Sequence, residues 1–237
     1  MRRLAKISGT VLIAAGVLGL AWVIVVWRWE DPFTAIYTHF QQARLTRTYE
    51  KRVAAFAPPV LAHRDLASVE QKVAGEAAAY GRTLHTGDPV GRLKIGRIGL
   101  SMMVVQGTDD STLKKGPGHY EPSGLPGGGH LIYVAGHRTT YLAPFAYINN
   151  IRVGDYVSFQ VPYGTFTYRV TRHYVVADTA LGELRDHGVE LLRLQACHPR
   201  FFATHRYIVD AKLVSVAPRG GPVYAPRGAV AAAPTRS

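Results

Sequence analysis

With 237 residues, 47% hydrophobic and 19% charged, the chain has the content of one sizeable globular domain with appendages, which excludes an intrinsically disordered protein. A formal charge of +12 predicts attraction to polyanions, and an anionic membrane or cell wall satisfies it as well as nucleic acid does. Cys197 is the only cysteine, so no disulfide can form within the chain.

The N-terminus favours the membrane. Ile7 to Trp27 is an uncharged run of 21 residues rich in Val, Leu, Ala and Gly. As a helix it would span roughly 30 Å, the thickness of a bilayer core. Arg2, Arg3 and Lys6 precede the run, whereas Arg28, Glu30 and Asp31 follow it and nearly cancel. The positive-inside rule then predicts a single-pass plasma-membrane protein with a cytoplasmic N-terminus and the remainder outside. Trp22, Trp27 and Trp29 cluster toward the outer end, where indoles favour the interface. A cleaved signal peptide is the competing reading, but the run is long for that role and no small-x-small site follows Trp27. Residues 1–30 are therefore expected to be the cytoplasmic N-terminus and anchor, and nucleic acid is not an expected partner.

Residues 31–87 read as a helical stalk. Helices are predicted over Pro32 to Phe56, behind Asp31 as a cap, and over Ala67 to Tyr80, behind Asp65 or Ser68, with Pro58-Pro59 between them. At Gly87-Asp88-Pro89 the pattern changes to short runs rich in Val, Ile, Leu, Tyr and Phe. Strands are predicted over Gly91–Ile98, Ser101–Gln106, Leu131–Ala135, Tyr156–Val161, Thr165–Thr171, His173–Ala177, Glu190–Ala196 and Arg206–Val216, with short helical turns near Ser111–Lys115 and Ala143–Asn149. Eight short strands separated by turn signals suggest a mainly β domain over 88–217, a sandwich or a barrel. Residues 218–237, rich in Pro, Gly, Ala and Arg, read as a disordered tail.

Chemistry concentrates at strand ends. Cys197 closes one predicted strand and Arg206 opens the next, so an antiparallel hairpin would bring the two onto neighbouring strands about 4.8 Å apart. A guanidinium there could lower a thiol pKa or stabilise an oxyanion; Arg200 is the rival for that role. His137 follows the strand Leu131–Ala135 and Gly136, where an imidazole could supply the proton that a departing amine requires. Spacing alone does not bring His137 to Cys197, and a histidine in such a fold is by default structural. Cys197 is either an inert small core residue or a nucleophile, and the surrounding sequence favours the nucleophile.

The segments Gly116-Pro117-Gly118-His119-Tyr120, Ala135-Gly136-His137-Arg138-Thr139-Thr140-Tyr141 and Cys197-His198-Pro199-Arg200, with Arg206, resemble class E sortases of actinobacteria over roughly Asp88 to Val216. The resemblance implies an eight-stranded β-barrel and a membrane-anchored cysteine transpeptidase. Cys197 would attack the Thr–Gly bond of a C-terminal sorting signal, Leu-Ala-Xaa-Thr-Gly or Leu-Pro-Xaa-Thr-Gly. His137 would serve the leaving and incoming amines, and Arg206 the substrate and oxyanion. The implied partners are surface proteins bearing such a signal and an amine acceptor on peptidoglycan or on another protein. Tyr120 resembles the tyrosine linked to the alanine preference. One departure is Ala196, since sortases usually read Thr-Leu-Xaa-Thr-Cys and that threonine helps hold substrate. Another is Glu121-Pro122-Ser123 in place of a simpler turn.

Other readings fare less well. His198 and His205 beside one cysteine fall short of the ligands a zinc site needs, and Asp109-Asp110 beside Ser111-Thr112 suits a helix cap better than calcium. No metal or other cofactor is expected. Gly127-Gly128-Gly129 lacks the Gly-Lys-Ser/Thr of a phosphate cradle. The alternative to an enzyme is a catalytically silent, membrane-anchored β-domain acting as a binding or assembly module, for which Ala196 is the only hint.

Overall fold

The computed structural model describes residues 2–29, 32–57 and 65–227. The expected cap Asp31, the Pro58-Pro59 break and the tail beyond Arg227 lie outside the described residues. Helix α1, Arg2–Trp29, contains one window, Lys6–Val23, long and apolar enough to cross a membrane, and none of that window is buried against the rest of the protein.

The next two helices do not form a stalk. Helix α2, Pro32–Ala55, and helix α3, Leu66–Gly81, both pack on the β-domain. The α2 side chain of Gln42 accepts from the Met103 amide at 2.7 Å and donates to the Met103 and Lys115 carbonyls at 3.0 and 2.8 Å. Leu45 and Tyr49 pack with Met103 and Val105 in a cluster of their own, and the Tyr49 hydroxyl reaches the Gln160 carbonyl. Helix α3 begins at Asp65, whose carboxylate accepts from the Ser68 amide. Its buried residues Val69, Val73, Ala77 and Tyr80 recur every three to four positions and join the main core.

The β-domain is a closed barrel. Its strands are β1 (Pro89–Ile95), β2 (Leu100–Gln106), β3 (Gly118–His119), β4 (Leu131–Gly136), β5 (Tyr156–Val161), β6 (Gly164–Ala177), β7 (Leu191–His198) and β8 (His205–Pro218), with a short helix α4, Asp110–Leu113, between β2 and β3. Around the barrel the order is β1-β2-β3-β4-β7-β8-β6-β5, closing antiparallel onto β1. Among the described strands, only β2/β3 and β4/β7 pair in parallel. The interior is filled by Tyr168, Phe159, Phe166, Leu93, Ile132, Leu192 and Leu194, all without exposed surface. Truncating one such Phe to Ala would cost about 3–5 kcal/mol.

Two strands differ from expectation. The segments Thr165–Thr171 and His173–Ala177 are one strand, β6, interrupted by a bulge between Val170 and Arg172 where its register on β8 shifts. The eighth strand is β3, two residues that no β-propensity marks, held in place by the β2 and β4 backbones. The segment after β8 is not free as far as it is described: Tyr224 exchanges amide hydrogen bonds with Val216, and the Arg227 amide donates to Glu70 of α3.

Candidate active site

Strand alternation assigns the faces of β7. Leu192, Leu194 and Ala196 point into the barrel and are fully buried, while Gln195 and Cys197 point outward into a groove. Register then does what spacing could not. Cys197 pairs across the β7/β8 ladder with Arg206. On the other side, the parallel β4/β7 ladder pairs Gly136 with Ala196. His137, the next residue, therefore leaves the end of β4 while Cys197 continues in β7. The backbone of Cys197 on β7 thus lies between Arg206 on β8 and the end of β4 that leads into His137.

The groove is a cavity of about 330 Å³ whose lining includes Cys197, Arg206, Tyr120, Leu113, Tyr133 and Leu184. Tyr120 meets Tyr133 edge-on with ring centroids 6.0 Å apart, and its amide donates to the Tyr133 carbonyl. Arg200 is not among the lining residues. Ala196 requires a correction: its side chain belongs to the barrel core and has no route to a substrate in the groove. A larger cavity, about 720 Å³, lies between α3, Gly127–Gly129 and Tyr224–Arg227, but contains none of Cys197, His137 or Arg206.

Arg206 is oriented by its own loop, its Nη1 donating to the Ala203 and His205 carbonyls at 2.6 and 2.9 Å. The Nε2 atom of His137 is buried and has no hydrogen-bond partner among the described residues. Burial pushes this imidazole below its ordinary range, Asp110 opposing the shift and Lys114 adding to it. Gly136 permits the approach of Phe145, because a Cβ there would meet the Phe145 ring at 2.6 Å. Phe145 in turn donates its amide to the His137 carbonyl at 3.0 Å.

Arg138 is the residue whose function the sequence reading missed. It is buried, and its Nη1 donates to the Cys197 carbonyl at 3.2 Å and to His198 Nδ1 at 2.9 Å, while Nη2 donates to Asn149 Oδ1 at 2.6 Å. One guanidinium thus ties the loop after His137 to the backbone of the cysteine. Its position inside the Gly136-His137-Arg138 string was the only available signal.

Two other histidines and an aspartate are structural. His119 is buried, its Nδ1 against Gln106 Oε1 and its Nε2 against the Gly124 carbonyl, and burial pushes its pKa down to about 4. His198 accepts from Arg138. Asp109 caps α4, and hydrogen bonds from Ser111 and Thr112 hold its carboxyl at about 2.

The Sortase domain family profile matches residues 93–214, more than half of the chain. The chain belongs to the sortase family. Sortase D of Bacillus subtilis (strain 168) is 35% identical over 135 residues, covering 55% of this chain and 66% of that protein, just under two thirds of its length. Among solved structures, sortase E from Streptomyces avermitilis is 33% identical with a TM-score of 0.51, over 58% of this chain and 97% of that one. Streptococcus agalactiae sortase C1, at 23% identity and a TM-score of 0.58 over 71% of this chain and 97% of that one, shares the fold. Sortases are cysteine transpeptidases, and in this sortase Cys197 is the only thiol.

Proposed function

We propose that this sortase is anchored by α1 with its N-terminus in the cytoplasm and its barrel outside, and that it joins surface proteins to an amine of peptidoglycan or of another protein. The pairing of Cys197 with Arg206 in one groove, with His137 following the strand β4 that pairs with β7, carries the reading. The Cys197 thiol passes its proton to His137, and sulfur attacks the carbonyl carbon of the Thr–Gly bond in a Leu-Ala-Xaa-Thr-Gly or Leu-Pro-Xaa-Thr-Gly signal. Arg206 stabilises the oxyanion. The C–N bond breaks, the glycine amine leaves with the proton from His137, and a thioester remains on Cys197. An incoming amine gives a proton to His137 and attacks the thioester, forming a new amide and returning the thiol.

Within the family we assign class E. The 33% identity to the Streptomyces avermitilis enzyme and the presence of Tyr120 in the groove support the assignment and the alanine-containing signal, against the Bacillus sortase D match. Full-length protein in detergent, incubated with both peptides and an amine, tests this by intact mass. The expected result is an acyl adduct on Cys197, absent in Cys197→Ala, that forms faster with Leu-Ala-Xaa-Thr-Gly and is converted by the amine to a new amide. Equal turnover in Cys197→Ala would sink the mechanism, and a preference for Leu-Pro-Xaa-Thr-Gly would remove the class E assignment.

A further inference from the structure

The loop that carries His137 is built on backbone that residues with a Cβ rarely adopt. Tyr141, Leu142 and Ala143 have φ of 55°, 59° and 34°. Such a run persists only where surrounding contacts over-determine it. Leu142 packs against the main core, whereas Tyr141 is held by α2. The Tyr141 amide donates to Thr34 Oγ1 at 3.1 Å, and the Tyr141 ring meets Tyr37 edge-on with centroids 6.4 Å apart. One turn of chain further on, buried Thr38 donates to the Lys114 carbonyl at 2.8 Å, and the Lys114 ammonium lies 5.9 Å from the Tyr141 ring centroid. The ring's other neighbour is His137, with centroids 5.4 Å apart and planes tilted by 35°.

We infer that Tyr141 is a positioning residue, its ring packing against the His137 imidazole and setting its orientation, with Thr34 and Tyr37 of α2 as its buttress. The inference rests on the proton-transfer role proposed for His137. The orphaned Nε2 explains why a ring contact is needed: an atom that must exchange protons with substrate cannot be tied down by a standing hydrogen bond, so packing has to set the ring's orientation. Because α2 begins three residues after α1 ends, the helix bearing the membrane-length apolar run is linked to the catalytic loop through a single element.

The test uses full-length protein with Tyr141→Ala, Tyr141→Phe and Thr34→Val, reading peptide transfer and the His137 imidazole resonances by ¹H–¹⁵N NMR. Tyr141→Ala is expected to lower kcat about 10- to 100-fold with KM changed less than about twofold, since misplacing a proton donor by an ångström has effects of that size. Tyr141→Phe keeps the ring and restores kcat to within about threefold, while Thr34→Val, which loosens only the buttress, lowers it by about 3- to 10-fold. The NMR titration includes the groups facing the imidazole, which are Tyr141 from its own loop and Asp110 and Lys114 from α4 and its end. Burial is the largest influence depressing His137, so admitting water in Tyr141→Ala should raise its midpoint toward the ordinary value. Unchanged kcat in Tyr141→Ala, or a loss that Tyr141→Phe does not recover, overturns the inference. If the unaltered enzyme transfers no peptide, the role proposed for His137 fails, yet the titration still decides the positioning: a shifted midpoint upholds it and an unmoved one refutes it.

Discussion

At the residue scale, the ladder separates the two arginines that flank the cysteine. Arg206 faces Cys197 across β7/β8 and lines the groove, whereas Arg200 lies beyond the strand end with its guanidinium 5.8 Å over the Phe201 ring. Arg206→Ala should therefore lower kcat by about 100-fold or more, the usual cost of one oxyanion donor, and Arg200→Ala by less than about tenfold. Steady-state kinetics of both variants would reverse the assignment if Arg200 proved the more damaging. His119 makes a different prediction, one about stability. Its pKa is about 4 in the folded protein against an ordinary 6.5, so between these values the unfolded chain binds a proton that the folded one does not. The contribution is complete above pH 6.5 and declines as the pH falls toward 4, by an amount on the order of 3 kcal/mol. Urea unfolding at pH 7 and pH 4.5 should show this loss, and His119→Gln should flatten it.

At the element scale, the groove depends on a charge cluster at its far end. Asp210, almost wholly buried, accepts from Arg193 Nε and Nη2 at 2.7 and 2.9 Å and from Arg172 Nε at 2.8 Å. Arg193 also holds Glu183, both by its backbone carbonyl and by its carboxylate, in the short 3-10 turn Leu181–Leu184 that forms one wall of the groove. Asp210→Asn leaves the buried Arg193 without its main counter-charge. The expected cost is about 3 kcal/mol of stability, read by denaturant unfolding, together with a raised KM as the wall loosens. A KM unchanged at full destabilisation would show that the turn holds its place without Arg193. The hairpin β7/β8 could be read from sequence because a short loop joins two consecutive β-rich runs. The long β6 could not be read whole, since the bulge beside Arg172 breaks its alternation at the very point where the chain continues as strand.

For the whole molecule, the docked helices change what can be removed. A fragment starting at Pro32 keeps α2 on the barrel, whereas one starting at Ala67 strips Leu45 and Tyr49 from Met103 and Val105 and the Gln42 side chain from the Met103 backbone. The first should unfold at the same denaturant midpoint as the β-domain of the full chain, and the second should lose several kcal/mol or aggregate through the uncovered β1/β2 face. Equal midpoints for the two fragments would make α2 dispensable to the fold.

What the sequence by itself determined is what neighbours along the chain determine. The apolar run of α1, the change to β at Gly87, the identity of the lone thiol and its hairpin partnership with Arg206 all follow from short-range pattern and turn chemistry. Only the tertiary structure set the strand that leads into His137 beside the strand of Cys197, because a parallel β4/β7 pair has no local signature and its register is set by burying Ile132, Val134, Leu192 and Leu194 on one face of a closed barrel. The same closure turned Ala196 inward, made a strand of Gly118–His119, and drew α2 against the sheet through Gln42 and Tyr49, polar and aromatic residues whose partners lie over sixty positions away.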